Sequence, residues 1–155
     1  YPGLDPGAVA RAYADPALYD AFGALPRTGR PEVLEHRVDG AGAGEVVELR
    51  IRWRFAGELS GAARAVVDPE RLTWVETSRH DLAARRTTFR MAADHYADRF
   101  ACSGAYAWLP GATRRVEGEL QVKAPLVARA VEGAIVSGLQ EQLRSEVPAV
   151  VAFLG

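Results

Sequence analysis

The chain has 155 residues, of which 48% are hydrophobic and 25% charged, the balance of one ordinary globular domain spanning residues 1–155. The net charge is −1, so no overall field favours nucleic acid or an anionic membrane surface. Cys102 is the single cysteine, which excludes a disulfide framework and a cysteine metal cluster, and no apolar run reaches the roughly 18 residues of a membrane span. Lys123 is the one lysine among 19 basic residues, a bias that reads as base composition rather than as an arginine phosphate site. The chain opens on Tyr1 without a signal-peptide pattern, and a cytoplasmic location is the default expectation.

Asp5-Pro6 and Asp15-Pro16 each set an N-cap acceptor before a first-turn proline, predicting short helices over Pro6–Tyr13 and Pro16–Phe22, the second stopped by Gly23. After a loop marked by Pro26, Gly29 and Pro31, a strand is expected from Glu32 to Asp39, then a glycine-rich turn over residues 40–44. The next strand is the clearest. Val47, Leu49, Ile51, Trp53 and Phe55 alternate with Glu48, Arg50, Arg52 and Arg54, so one face is buried and the other wet. Residues 62–67 suggest a short helix. Strands follow over Leu72–His80, Arg85–His95, Arg99–Leu109 and Thr113–Ala124, and then Leu126–Leu154 reads as one amphipathic helix. Its apolar stripe is Val131, Ile135, Leu139, Leu143, Val147 and Val150.

A long helix after antiparallel strands buries its stripe by lying across the sheet, which leaves room for a ligand between the two. Closing the hairpins with loops at residues 81–84, 96–99 and 110–112 gives four rows on the concave face. They are Ser78, Thr87, Trp108, Arg114; Glu76, Phe89, Tyr106, Val116; Trp74, Met91, Gly104, Gly118; and Leu72, Ala93, Cys102, Leu120. In the first strand either Glu35 or His36 faces inward, depending on turn length.

The candidate ligand-lining set is Trp53, Trp74, Glu76, Phe89, Met91, Gly104, Tyr106, Trp108, Arg114 and Gly118 on the sheet, with Ile135, Leu139 and Leu143 on the helix. Glu76 is the inward carboxylate. Desolvated, it would be an acid or base; alternatively it pairs with Arg114, is solvated at the cavity mouth, or points outward through a register change. Gly104 beside Gly118 either opens a cavity or permits close approach of neighbouring elements. His36, His80 and His95 lack metal-ligand spacing and read as surface or loop positions, and Ser78 has no histidine base in this register, so no nucleophilic triad is expected. The pattern contains no catalytic motif and implies neither a cofactor nor a metal.

The order of two helices, antiparallel strands and a long terminal helix resembles the START-like, or birch-pollen-allergen-like, helix-grip superfamily of polyketide cyclases and lipid-transfer domains. Tyr1-Pro2, Val9 and Ala14-Asp15-Pro16 are similar to its opening segment. Lys123-Ala124-Pro125-Leu126-Val127 followed by Glu132 resembles the strand-to-helix junction of an actinobacterial family of unknown function within it. The resemblance implies an α+β helix-grip fold: a curved antiparallel sheet of six to seven strands around the long helix, the first strand falling before residue 1. It also implies a small hydrophobic or amphipathic ligand, lipid-like or polyketide-like. The alternatives are a cyclase- or dehydratase-type enzyme using the same cavity, and a protein-interaction module with a filled core. No nucleic acid partner and no membrane insertion are expected, and the oligomeric state is open.

Overall fold

The computed structural model describes residues 1–155 apart from 24, 60, 66 and 124–127. Helices α1 (Pro6–Ala14) and α2 (Pro16–Phe22) start as their prolines dictate: Asp5 Oδ1 accepts from Ala8 N at 2.8 Å, and Asp15 Oδ1 accepts from Ala17 N at 2.9 Å. Gly23, at φ 58°, ends α2. Six strands follow: β1 (Glu32–Asp39), β2 (Val46–Arg54), β3 (Thr73–Asp81), β4 (Arg86–Ala93), β5 (Phe100–Leu109) and β6 (Thr113–Val122). They form one antiparallel sheet in sequence order, with β1 and β6 at its edges. A four-residue helix, α3 (Gly61–Arg64), stands at the start of the helix expected over 62–67, of which residue 66 lies outside the described residues, and α4 (Ala128–Leu154) follows β6. The expected helix residues Leu126 and Val127, the strand end at Ala124 and the junction motif around them lie outside the described residues.

This is the α+β, helix-grip arrangement anticipated for the chain. Its core is built by α1, α2 and the C-terminal part of α4 on one end of the concave face, where Val9, Leu18, Leu49, Ile51, Trp53, Tyr106, Trp108 and Val150 are buried together. A second, smaller apolar group joins Val122 and Val131 to Leu59, Phe100, Leu120 and Ile135. The middle of the concave face lies between the two groups.

The β5–β6 register is the expected one, with Trp108 opposite Arg114, Tyr106 opposite Val116 and Gly104 opposite Gly118. Its turn holds Gly111 and Ala112 at positive φ. The other two hairpins differ. Asp81 stays in β3 opposite Arg86, and its carboxylate accepts from Ala84 N at 2.8 Å, so the loop is 82–85. The β4–β5 loop begins at Asp94, whose N–H leaves the hairpin to donate to Thr73 O. Each change slides the pairing by two residues. Because side chains alternate with period two, every residue keeps its face but changes its neighbours. The true rows are Val47, His80, Thr87, Tyr106, Val116; Leu49, Ser78, Phe89, Gly104, Gly118; and Ile51, Glu76, Met91, Cys102, Leu120. In β1, a bulge between Val33 and Glu35 sets His36 opposite Leu49, on the concave side but exposed at the edge.

Candidate ligand cleft

Two polar groups face the helix from the sheet. The first is built on Arg114, at the start of β6, and Glu146, on α4. Arg114 Nη2 donates to Glu146 Oε2 at 2.8 Å, and both side chains are only 8% exposed. Tyr13 Oη donates to the same Oε2 at 2.8 Å and stands 2.7 Å from Tyr1 Oη. The guanidinium lies 4.7 Å from the Tyr13 ring centre, 5.5 Å from that of Trp108 and 5.6 Å from that of Tyr106. Burial lowers the Arg114 pKa, but Glu146 and the surrounding phenols outweigh it and hold it above its ordinary value. The same burial raises the Tyr13, Tyr19 and Tyr106 phenols. A buried ion pair of this kind ties α4 to the sheet; deleting either partner would strand the other at a cost of about 3–5 kcal/mol.

The second group is Glu76, in the middle of β3. It is half-buried, between Ile51 and Met91 on neighbouring strands. Burial, reinforced by the Glu146 carboxylate, pushes its carboxyl up to about 7, against the opposing pull of Arg114 and the Trp53 indole N–H. The expected alternative of an Arg114 ion pair is not realised, because Arg114 is engaged by Glu146. Beside Glu76 on the sheet, and on α4, apolar side chains are only partly buried, with Trp74, Phe89 and Leu120 at the margins of the two apolar groups. Trp74, Phe89, Met91, Leu120, Leu139 and Leu143 are each half-buried. Several buried polar atoms lack a hydrogen-bond partner of full geometry: Nε1 of Trp53 and Trp74, one row from Glu76, Nε1 of Trp108 beside Arg114, and both amide atoms of Gln142 on α4. Gln142 is 6% exposed.

Two expectations are overturned here. His80 is not a surface residue: it is 1% exposed, and burial lowers its pKa to about 4, so it is neutral. Nor does Ser78 lack a histidine. Ser78 Oγ stands 3.0 Å from His80 Nε2, and Thr87 Oγ1 stands 3.0 Å from His80 Nδ1. The two-residue slide of β4 brings Thr87 beside His80, while Ser78 and His80 are same-face neighbours on β3. With Ser78 1% exposed, this is a satisfied buried chain rather than a nucleophile open to substrate.

Of the expected lining residues, Trp53, Tyr106 and Trp108 are buried core; Ile135 belongs to the smaller apolar group. Arg114 anchors the helix. Gly104 and Gly118 allow close approach rather than opening space at that point. A Cβ on Gly104 would collide with Glu117 O and lie 2.8 Å from Gly118 Cα and 2.9 Å from the Phe89 ring. The face of α4 turned to the sheet is the expected one at Val131, Ile135 and Val150 but not between them. The expected stripe steps by four from Val131 to Val147, drifting about 40° per step, and takes its one step of three only at the end. Continuing Val131 and Ile135 at 3.6 residues per turn leads instead to Gly138, Gln142, Glu146 and Val150. Gln142 and Glu146 are therefore inward, and Leu143 and Val147 flank them, half-buried. The helical period was the signal that could have found both.

Among the described residues, no group of three or more His, Cys, Asp or Glu side chains is placed to hold a metal, and no helix is long and apolar enough to cross a membrane. A shallow groove of about 560 Å³ is lined by Arg64, Ala65, Val67, Asp68 and Pro69, none of which belongs to either polar group. A smaller one, about 140 Å³, opens at the strand ends beside Trp53 and Thr73.

A domain with this sheet and helix matches one protein family along nearly its entire length. The chain belongs to that family, described as a protein of unknown function (DUF2505), over residues 1–154. Among solved structures it is similar to TTHA0849 from Thermus thermophilus, with a TM-score of 0.63 and 18% identity over 99% of this chain and 91% of that one, a likeness of fold. No curated protein matches the chain.

Proposed function

We propose that this domain binds a small amphipathic molecule in the cleft between the middle of the sheet and α4. The observation that carries the reading is the set of unpartnered polar atoms, Gln142 Oε1 and Nε2 and the Trp74 Nε1, beside half-buried apolar side chains. Buried polar groups without partners cost stability, and a ligand with an apolar body and a polar head supplies what both kinds of surface lack. The resemblance to START-like lipid-transfer and polyketide cyclase domains supports the same reading, with lipid-like or polyketide-like ligands. All three tryptophans stand on the concave face, so their emission reports on the cleft. Titration with a long-chain alcohol should give a saturable change at about one ligand per chain, weakened several-fold in Gln142→Ala, as loss of a hydrogen bond of about 0.5–1.5 kcal/mol requires. No saturable change would overturn the reading.

The second reading, an enzyme of cyclase or dehydratase type, is favoured by Glu76 alone. A carboxyl pushed up to about 7 can take and return a proton near neutrality. An NMR titration placing the Glu76 carboxyl at an ordinary carboxylate value would remove this reading.

A further inference from the structure

We infer that the cleft selects an amphipathic amine, with its cationic nitrogen at Glu76, over a fatty acid of the same length. This rests on the ligand-binding reading above and names the ligand class. The first argument is charge. Arg114 is the one cation reaching the site from β6, and it is consumed: Glu146 neutralises it at 2.8 Å, and Tyr13, Tyr106 and Trp108 cover it. An anionic head would have to displace Glu146 to reach it. Glu76 has no cation of its own among the described residues. The arginines of β2 and β4 alternate onto the convex face, where Arg50 and Arg52 pair with Glu35, Glu32 and Asp94. The titratable groups within electrostatic reach of Glu76 are Tyr19 from α2, Cys102 and Tyr106 from β5, Arg114 from β6 and Glu146 from α4. With Glu76 ionised, the two carboxylates and one guanidinium leave the cleft one negative charge in excess.

The second argument is geometry. Trp53 and Trp74 are directly opposed on β2 and β3, one row from Glu76, and Phe89 lies on the row to its other side. A carboxylate beside aromatic rings suits an ammonium group, which gains both the ion pair and the ring faces. Gln142 Oε1, buried and unpartnered, is an acceptor for a further N–H. The half-buried apolar side chains Met91 on the sheet and Leu139 and Leu143 on α4 are offered to the alkyl chain.

Dodecylamine, dodecanol and dodecanoate, each below its micelle concentration at about pH 8, provide the test through tryptophan emission. The amine should bind at least about tenfold tighter than the alcohol, a factor worth about 1.4 kcal/mol, and the carboxylate weakest. In Glu76→Gln the amine-to-alcohol ratio should collapse toward unity. Dodecanoate binding as tightly as the amine, or a ratio unaltered in Glu76→Gln, overturns the inference while the cleft still binds ligands. Failure of all three probes to bind overturns the cleft reading and the inference together.

Discussion

At the scale of residues, the most consequential atom is Oε2 of Glu146, which accepts from both Arg114 and Tyr13. A hydrogen bond to a charged acceptor contributes about 1.5–3 kcal/mol, against about 0.5–1.5 kcal/mol for a neutral one. The protein contains its own control. Tyr19 Oη donates to a neutral acceptor, the Tyr13 carbonyl, at 2.9 Å, and is also buried. Tyr13→Phe should therefore cost about 1 kcal/mol more than Tyr19→Phe in urea unfolding. Equal costs would mean that the Tyr13–Glu146 hydrogen bond stabilises no more than the neutral one made by Tyr19.

At the scale of elements, the sheet depends on close approach where β5 meets β6. Gly104 and Gly118 are opposed, and the Phe89 ring closes over Gly104. Gly104→Ala needs movement of β6 backbone as well as of a side chain, so it should destabilise by about 1–3 kcal/mol in denaturant unfolding. Gly133→Ala on α4, where a Cβ meets nothing within 4 Å, should instead be neutral or stabilising. If both substitutions behave alike, the glycine pair does not set the strand spacing. Helix α4 also shows how an element tolerates a local fault. Pro148 deprives the Arg144 carbonyl of its helical donor, but both residues are exposed and water can take the place of the missing N–H.

For the whole molecule, half-buried Glu76 and buried His80 tilt stability with pH in opposite directions. The folded protein holds the Glu76 proton up to about 7, above the ordinary 4.5, so folding is favoured fully below pH 4.5 and the gain is lost as pH rises to about 7. It holds His80 neutral down to about 4, below the ordinary 6.5, so that contribution is full above pH 6.5 and is lost as pH falls to about 4. Each shift corresponds to up to about 3 kcal/mol, and between about pH 4.5 and 6.5 the slopes cancel. Glu76→Gln should unmask the histidine, its stability rising by up to about 3 kcal/mol from pH 4 to 6.5 relative to the flatter wild-type profile. Parallel profiles in chemical unfolding across that range would show that Glu76 titrates normally.

Local chemistry determined the caps, the strands and the facing of the side chains on β2 to β6, but not on β1, where a bulge decided for His36. Asp-Pro pairs need only their own helix, and period-two alternation needs only one half-buried strand. The Pro110–Ala112 turn was legible with its full register for the same reason. What sequence alone could not determine was which rows line up and which residues meet. A hairpin loop displaced by one residue, or lengthened by two, slides a strand by two without disturbing its alternation, so the pattern is equally satisfied by both registers. That slide separated Glu76 from Tyr106 and brought His80 to Thr87. The pairing of Arg114 with Glu146, 32 positions away, and the inward turn of Gln142 exist only once α4 crosses the sheet. Tertiary packing decides them, because a polar residue's place on a buried helix face depends on the partner that waits there.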